Sequence, residues 1–282
     1  TAELRELQTN LDPQHGSWRA AIVHGLGGMG KTALVAEALA LWETRFDWVL
    51  LYQAKPNALG FDATLRDIDL KLRGEEKQQY YNHIQKYPAD AIYRDPSAEF
   101  TGPARLERLT QNLIRALQDE AILLVLDNFE TNLKPQPEPS SVAAKPVWAC
   151  QDPAWDECLA LLAQELAGSP SRVLITSRKP LADGAGYPVL LGPLPPSEAA
   201  LYLRAHPALS RMVFGIDEKE KLLAQRLLNA SRFHPLLMDR LARLAANALL
   251  RPQLLQALDT LEQTKDFAQL PALFATTPGD TK

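Results

Sequence analysis

Eight consecutive residues near the start of the chain have the types and spacing that bind a phosphate chain. Residues 25–32 read Gly-Leu-Gly-Gly-Met-Gly-Lys-Thr, a G-x-x-x-x-G-K-T pattern between an apolar run at 20–23 and a helix-forming run at 32–39. Glycines let backbone N–H groups turn toward an anion, and a helix N-terminus adds partial positive charge. The pattern therefore predicts a P-loop that binds a nucleoside triphosphate. The alternative, a glycine-rich turn with an ordinary surface lysine, does not explain the flanking runs.

The side chains of this loop predict ATP or ADP as the ligand, together with Mg²⁺. Lys31 is expected to reach the β- and γ-phosphates, and the Thr32 hydroxyl is expected to hold Mg²⁺. The loop backbone and the first helical turn supply the other contacts. The predicted nucleotide-binding residues are Gly25, Gly27, Gly28, Met29, Gly30, Lys31, Thr32 and Ala33.

A carboxylate follows a second apolar run and completes the predicted metal site. Residues 121–126 read Ala-Ile-Leu-Leu-Val-Leu and lead directly into Asp127, which is the Walker B pattern. A carboxylate at the C-terminal end of a buried parallel strand lies beside the P-loop, so Asp127 is predicted to hold Mg²⁺ with Thr32. Glu130 lies three residues further on, and two roles stay open for it. It either positions the attacking water or is a solvated loop carboxylate.

The elements that must position these residues alternate between apolar strands and helices, which predicts an α/β fold with a doubly wound parallel sheet. Strands are expected near 19–24, 47–53, 121–128, 172–178 and 187–191, the last at an edge because it contains Pro188. The strand at 47–53 and the P-loop helix at 31–43 are both apolar enough to predict burial. Asp152 is expected to cap a helix that begins at Pro153.

The sequence pattern changes after residue 192. Residues 193–282 are predicted to form a small all-helical subdomain, and residues 1–192 the nucleotide-binding domain. The boundary lies in a proline cluster, Gly-Pro-Leu-Pro-Pro at 192–196. Ser197 is expected to cap a helix at 198–204, and Asp217 to cap another that ends near 230. Within the polar segment 56–103 we expect helices near 62–73 and 75–86. The proline-rich segment 134–141 and the tail 271–282 are expected to be loops.

Composition argues against several other classes of protein. The 282 residues carry a formal net charge of −4, which provides no broad attraction to nucleic acid or to anionic membrane. The cysteines, Cys150 and Cys158, are too few for a disulfide framework or a four-ligand zinc site. No apolar run reaches the length of a membrane span, and we expect a cytoplasmic protein. Because the chain begins at Thr1 without a methionine, we also expect a fragment of a longer protein.

These motifs in this order resemble the nucleotide-binding module of STAND NTPases, specifically the NB-ARC type of apoptotic activators, plant immune receptors and bacterial regulators. The resemblance covers residues 3 to about 250. It rests on the P-loop, on the Walker B strand, on the strand at 172–178 with its terminal Arg178, on the run at 191–200 and on His234-Pro235-Leu236.

The resemblance implies roles for two residues outside the P-loop and Walker B motifs. Arg178 would be the sensor that meets the γ-phosphate, although an arginine just past a strand can also be a surface residue. Pro235 would pack on the adenine from the helical subdomain, a role compatible with a proline at the first position of a helix. The sequence departs from the family pattern at Phe233, where the family has glycine, and at Asn128, where a second acid is expected. We expect the family's Gly-Arg element to fall before Thr1 and its winged-helix subdomain to be absent after residue 265.

The implied function is a switch in which ATP or ADP binds between the two domains, with slow hydrolysis and nucleotide-dependent oligomerisation. Effector and sensor domains are expected outside this fragment, and neither a membrane nor nucleic acid is an expected partner. Two alternatives remain. A small-molecule kinase would need an acceptor pocket and an arginine-bearing lid, and an AAA+-like motor on nucleic acid would need a basic channel.

Overall fold

The computed structural model of this protein describes residues 1–12, 16–54, 57–72, 103–135, 148–181 and 185–263. The predictions for a helix near 75–86, for most of the proline-rich loop and for the tail 271–282 lie outside these ranges. The chain divides into two compact units, residues 1–27 with 31–191 and residues 28–30 with 192–282. The predicted functional division into residues 1–192 and 193–282 stays a prediction.

A five-stranded parallel sheet forms the centre of the first unit. The strands of this unit in chain order are β1 (Ala20–His24), β2 (Trp48–Gln53), β3 (Ile122–Asp127), β4 (Leu133–Pro135), β5 (Trp148–Cys150), β6 (Arg172–Ser177) and β7 (Tyr187–Leu190). The parallel sheet has the order β2-β3-β6-β1-β7, while β4 and β5 form a separate antiparallel pair. Within the described residues β7 lies at an edge, as its proline predicts. Gln53 pairs with Asp127 and His24 with Ser177, so the carboxyl ends of the strands meet at one edge of the sheet.

Helices cover both faces of this sheet. They are α1 (Ala2–Leu11), α2 (Lys31–Trp42), α3 (Phe61–Leu72), α4 (Pro103–Asp119) and α5 (Pro153–Glu165). The side chains of β3 alternate between the faces, as a strand requires. Leu124 packs in the core cluster that contains residues of α3, α4 and α5, and Leu123 packs with α1 and α2. The fold is therefore the predicted α/β doubly wound sheet, with a predominantly helical second part.

Two burial predictions for this unit are wrong. The P-loop helix α2 buries only one side, because Leu34, Val35 and Ala38 face the core while Leu41 is 46% exposed. Alanine accounts for much of its apolar content and favours a helix in either environment. Strand β2 is half-exposed rather than buried, with Leu51 53% exposed. Leu50 and Tyr52 point into the core, whereas Val49 and Leu51 point to the opposite face, which is exposed at this strand.

Two buried thiols and one capped helix complete the first unit. Cys150 and Cys158 are both buried, and burial raises the pKa of Cys158 to about 12, so this thiol stays protonated near neutral pH. Asp152 caps α5 as predicted, since its Oδ1 accepts a hydrogen bond from the Ala154 amide at 3.1 Å.

In the described part of the second unit, five helices pack around their own apolar core. They are α6 (Pro196–Ala205), α7 (Pro207–Phe214), α8 (Glu218–Ser231), α9 (Pro235–Ala246) and α10 (Arg251–Gln263). Leu209, Leu227, Leu241 and Leu258 are each fully buried in this core. Among the described helices, none combines the length and the hydropathy needed to cross a bilayer.

Of the two helix N-caps predicted for this unit, one is observed. Asp217 caps α8 as predicted, accepting from the Lys219 amide at 2.9 Å. The prediction that Ser197 caps α6 is wrong, because that helix begins at Pro196 and its N-cap residue, Pro195, has no side-chain hydrogen bond to offer. Proline is favoured in the first helical turn, since its missing N–H has no intrahelical partner there.

Candidate functional site

The P-loop joins β1 to α2 and needs glycine at several of its positions. A Cβ added to Gly25 would lie 2.4 Å from the carbonyl oxygen of Leu191, so only glycine fits beside β7. Gly28 and Gly30 adopt φ values of 79° and 94°, which side chains other than glycine rarely adopt. Three of the predicted glycines, Gly25, Gly28 and Gly30, are therefore required by steric fit or by backbone conformation.

Lys31 begins α2 and folds back onto the loop. Its side chain is buried, and Nζ donates hydrogen bonds to the carbonyl oxygens of Gly25 and Leu26, each at 2.9 Å. The ammonium group has three donors and can move from carbonyl to phosphate oxygens without changing its charge. Lys31 thus lies where a P-loop lysine must lie, with its charge inside the loop.

Asp127 lies 2% exposed at the end of β3 and accepts hydrogen bonds from four side chains. The donors are Thr32 Oγ1 (3.1 Å to Oδ1), Thr176 Oγ1 (2.5 Å to Oδ1), Gln53 Nε2 (3.0 Å to Oδ2) and Asn128 Nδ2 (3.1 Å to Oδ2). The structure therefore brings Thr32 and Asp127 together, as the two motifs predict.

The donor set of this pair fits Mg²⁺. A threonine hydroxyl and a carboxylate are hard oxygen ligands, and Mg²⁺ is usually held by one or two carboxylates plus substrate phosphates rather than by an all-protein cage. Among the described residues, no cluster of three or more histidine, cysteine or acidic side chains occurs. Thr32 and Asp127 would hold the ion, and the ion would neutralise phosphate charge.

Gln53 and Thr176 are functional candidates that the sequence interpretation missed. Both lie near the carboxyl ends of strands that flank β3, and both donate to the Asp127 carboxylate. The signal was a polar side chain near the end of an otherwise apolar strand. It becomes specific only when the register of neighbouring strands is known.

Arg178 and Glu130 form an ion pair beside the loop. Arg178 Nε lies 2.9 Å from Glu130 Oε1, and the Arg178 amide donates to Glu130 Oε2 at 3.2 Å. The guanidinium also lies against the P-loop, because a Cβ added to Gly27 would be 3.3 Å from Arg178 Cζ. The structure therefore brings both predicted residues to the site and joins them to each other.

The remaining predicted residues lie in α2, in the P-loop and at the start of α9. Ala33 is exposed in the first turn of α2, and Met29 lies in the loop between Gly28 and Gly30. Pro235 is the first residue of α9 in the second unit, and its predicted contact with adenine stays a prediction. His24 precedes the loop, and burial together with the charge of Lys31 lowers its pKa, so it is neutral near pH 7.

Comparison with known families gives a match over most of the first unit. The profile of the AAA ATPase domain matches residues 1–175 of the 282, and the chain belongs to this family. It is a P-loop ATPase domain that binds nucleotide. Among curated proteins, none matches the chain significantly.

Solved structures with similar folds include a STAND protein with a tetratricopeptide repeat sensor from Pyrococcus horikoshii. That structure aligns with a TM-score of 0.50 at 17% identity, covering 98% of this chain and 32% of the other, so this chain spans about a third of its length. Cdc6p from Pyrobaculum aerophilum aligns with a TM-score of 0.45 at 18% identity, covering 92% and 62%. The Aeropyrum pernix Orc1 protein, solved in complex with DNA, aligns with a TM-score of 0.44 at 17% identity, covering 98% and 68%.

Proposed function

We propose that this chain is the nucleotide-binding module of a STAND-type switch, of the NB-ARC kind, that binds ATP or ADP with Mg²⁺. The observation that carries the proposal is the convergence of three motif residues. Lys31 lies inside the loop, and Thr32 and Asp127 lie 3.1 Å apart between hydroxyl and carboxylate oxygens. These are the groups that bind the β- and γ-phosphates and their metal ion.

Slow hydrolysis is part of this proposal. The residue after Asp127 is Asn128, whose amide donates to Asp127 and which carries no carboxylate of its own to activate water. The next acid, Glu130, has both carboxylate oxygens engaged by Arg178. A site with a complete phosphate cradle and an occupied acid suits retention of nucleotide better than rapid turnover.

The switch also requires that ATP and ADP favour different states. A ligand shifts a conformational equilibrium only by its difference in affinity for the two states. Arg178 beside Gly27 is the group proposed to respond to the γ-phosphate, and Pro235 is the proposed adenine contact. Effector and sensor domains, together with a nucleotide-dependent homo-oligomer, are proposed for the full-length protein.

Calorimetry with Lys31→Ala tests the proposal. The wild-type chain should bind both ATP and ADP, and Lys31→Ala should abolish measurable binding of both while circular dichroism shows an unchanged fold. Lys219→Ala, which removes an exposed lysine of α8, is the matched control and should bind as wild type does. Unchanged affinity in Lys31→Ala would overturn the proposal.

Single-turnover kinetics separate the switch from its two alternatives. A switch should hydrolyse ATP well below about 1 per second, whereas kinases commonly turn over at about 1–100 per second. A motor on nucleic acid should show faster hydrolysis when DNA or RNA is added. The net charge of −4 argues against nucleic acid, and strong stimulation by either polymer would favour that alternative instead.

A further inference from the structure

We infer that Glu130 is a positioning residue for Arg178, and that it holds the guanidinium against the P-loop instead of positioning the attacking water. This inference rests on the proposed function, because it concerns how the same site distinguishes ATP from ADP. It gives Glu130 a third role, different from both roles that the sequence left open, the positioning of water and a solvated loop carboxylate.

The ion pair engages Glu130 at two points. Oε1 lies 2.9 Å from Arg178 Nε, and Oε2 accepts from the Arg178 backbone amide at 3.2 Å. The glutamate therefore fixes both the chain direction after β6 and the side chain that leaves it. Both carboxylate oxygens are thus engaged by one residue, which orients the group toward Arg178.

Glu130 is itself held by a rigid turn. It lies in the short 3-10 segment Phe129–Asn132, which follows Asn128 in the left-handed conformation with φ 57°. The Asn128 amide donates to Thr176 Oγ1 at 2.9 Å, and the fully buried Phe129 ring meets Trp155 edge-on at 5.4 Å between centroids. The turn that carries Glu130 is thus attached to β6 through Asn128 and to the core through Phe129.

Arg178 is the more exposed residue of the ion pair, and its side chain therefore gains most from a fixed partner. Its side chain is 52% exposed, whereas that of Glu130 is 15% exposed. A long exposed arginine keeps most of its rotamer freedom, and ordering it at the moment of binding would reduce affinity. Binding through Nε orders the side chain in advance and leaves the four Nη hydrogens for another ligand. Because the guanidinium lies against Gly27, that ligand is the phosphate chain in the loop.

A double-mutant cycle on ATP and ADP affinity tests the inference. Arg178→Ala and Glu130→Ala should each reduce the preference for ATP over ADP by about tenfold, the loss of roughly one charge-assisted hydrogen bond. The double variant should lose no more than either single variant, because the two residues act as a unit. ADP affinity in all three should stay near wild type, which shows that the fold and the P-loop survive.

Conservative variants and a distant control complete the experiment. Arg178→Lys should lose the preference as Arg178→Ala does, since an ammonium group cannot bind Glu130 and a phosphate through separate fixed donors. Glu130→Gln keeps one acceptor and should retain part of the preference. Glu37→Ala removes an exposed glutamate of the P-loop helix and should match wild type.

Each contrary result has a distinct meaning. An unchanged ATP preference in Glu130→Ala, or additive losses in the double variant, would overturn the inference while nucleotide binding stands. Loss of hydrolysis in Glu130→Gln with unchanged ATP affinity would show that Glu130 is the water-positioning residue and overturn the inference equally. Failure of the wild-type chain to bind either nucleotide would overturn the proposed function itself, and the inference with it.

Discussion

Two buried charges on neighbouring strands, Arg172 and Asp127, are stabilised by different kinds of partner. Arg172 opens β6 and is fully buried. It donates to the carbonyl oxygens of Leu11 (2.8 Å), Asp12 (2.8 Å), Ser169 (2.9 Å) and Ser171 (2.6 Å). Asp127 ends β3, is 2% exposed and accepts from the side chains of Thr32, Gln53, Thr176 and Asn128. Each charge is satisfied, one by main chain and the other by side chains.

Main-chain partners make Arg172 a structural residue. Two of its carbonyls, those of Leu11 and Asp12, lie at the C-terminal end of α1, where the helix dipole is negative. Burial lowers the pKa of Arg172 to about 10, helped by the charge of Arg19, and the group remains protonated near neutral pH. Backbone carbonyl groups cannot move away from the guanidinium unless the backbone unfolds. Arg172 therefore connects α1 to the sheet, and its hydrogen bonds are fixed by the fold.

Side-chain partners make Asp127 a residue that can exchange ligands. A hydroxyl or an amide group can rotate away from a carboxylate at small cost, so a metal ion can take the place of one donor. A buried polar group needs a partner. The Asp127 carboxylate can have either its side-chain donors or a metal ion in this role. The two buried charges therefore differ in the chemistry of their partners, whereas their burial is nearly the same.

The largest expected effect is that of Arg172→Met. It should lower the free energy of unfolding by about 3 kcal/mol, because four carbonyl groups, three of them in buried residues, lose their donor. Urea denaturation followed by circular dichroism measures this change. Arg45→Met is the matched control, since Arg45 contacts Asp12 at the surface and should contribute less than about 1 kcal/mol. Similar losses in the two variants would contradict the structural role of Arg172.

Asp127→Asn should have the opposite profile. We expect hydrolysis in the presence of Mg²⁺ to fall about 100-fold or more, because the proposed metal ion, which would stabilise the transferred charge, loses its proposed anionic ligand. ADP affinity without Mg²⁺ and the free energy of unfolding should change little. Single-turnover hydrolysis and calorimetry measure the two quantities separately. A large loss of stability would place Asp127 with Arg172 and remove the distinction between them.

A smaller effect is expected for Gln53→Leu, which removes one donor to Asp127. Partners that orient a metal ligand typically contribute about 10-fold or more to metal affinity. The Mg²⁺ concentration needed for half-maximal hydrolysis should therefore rise about tenfold, while nucleotide affinity without Mg²⁺ stays constant. Gln118→Leu is the control, because the Gln118 amide donates to the Glu165 carbonyl away from the site. Equal Mg²⁺ requirements in the two variants would show that Gln53 is dispensable.

The parts of the fold and site that could be predicted from the sequence are those set by local chemistry. The glycine positions of the loop follow from backbone conformation, and the strand leading into Asp127 follows from a continuous apolar run. Burial was predicted less well, because it depends on what covers an element. The exposed Leu51 of β2 and Leu41 of α2 look as apolar in the sequence as their buried neighbours.

What the sequence determined by itself is therefore the phosphate loop, its lysine, the strand-end carboxylate and the α/β fold that carries them. Only the tertiary structure decided which polar strand ends meet. The register of β2 on β3 brings Gln53 beside Asp127, and the adjacency of β3 and β6 brings in Thr176. It also decided that Arg178 binds Glu130 from 48 residues away. Such pairings depend on hydrogen bonds between strands distant in the chain, and a local pattern of residues does not encode them.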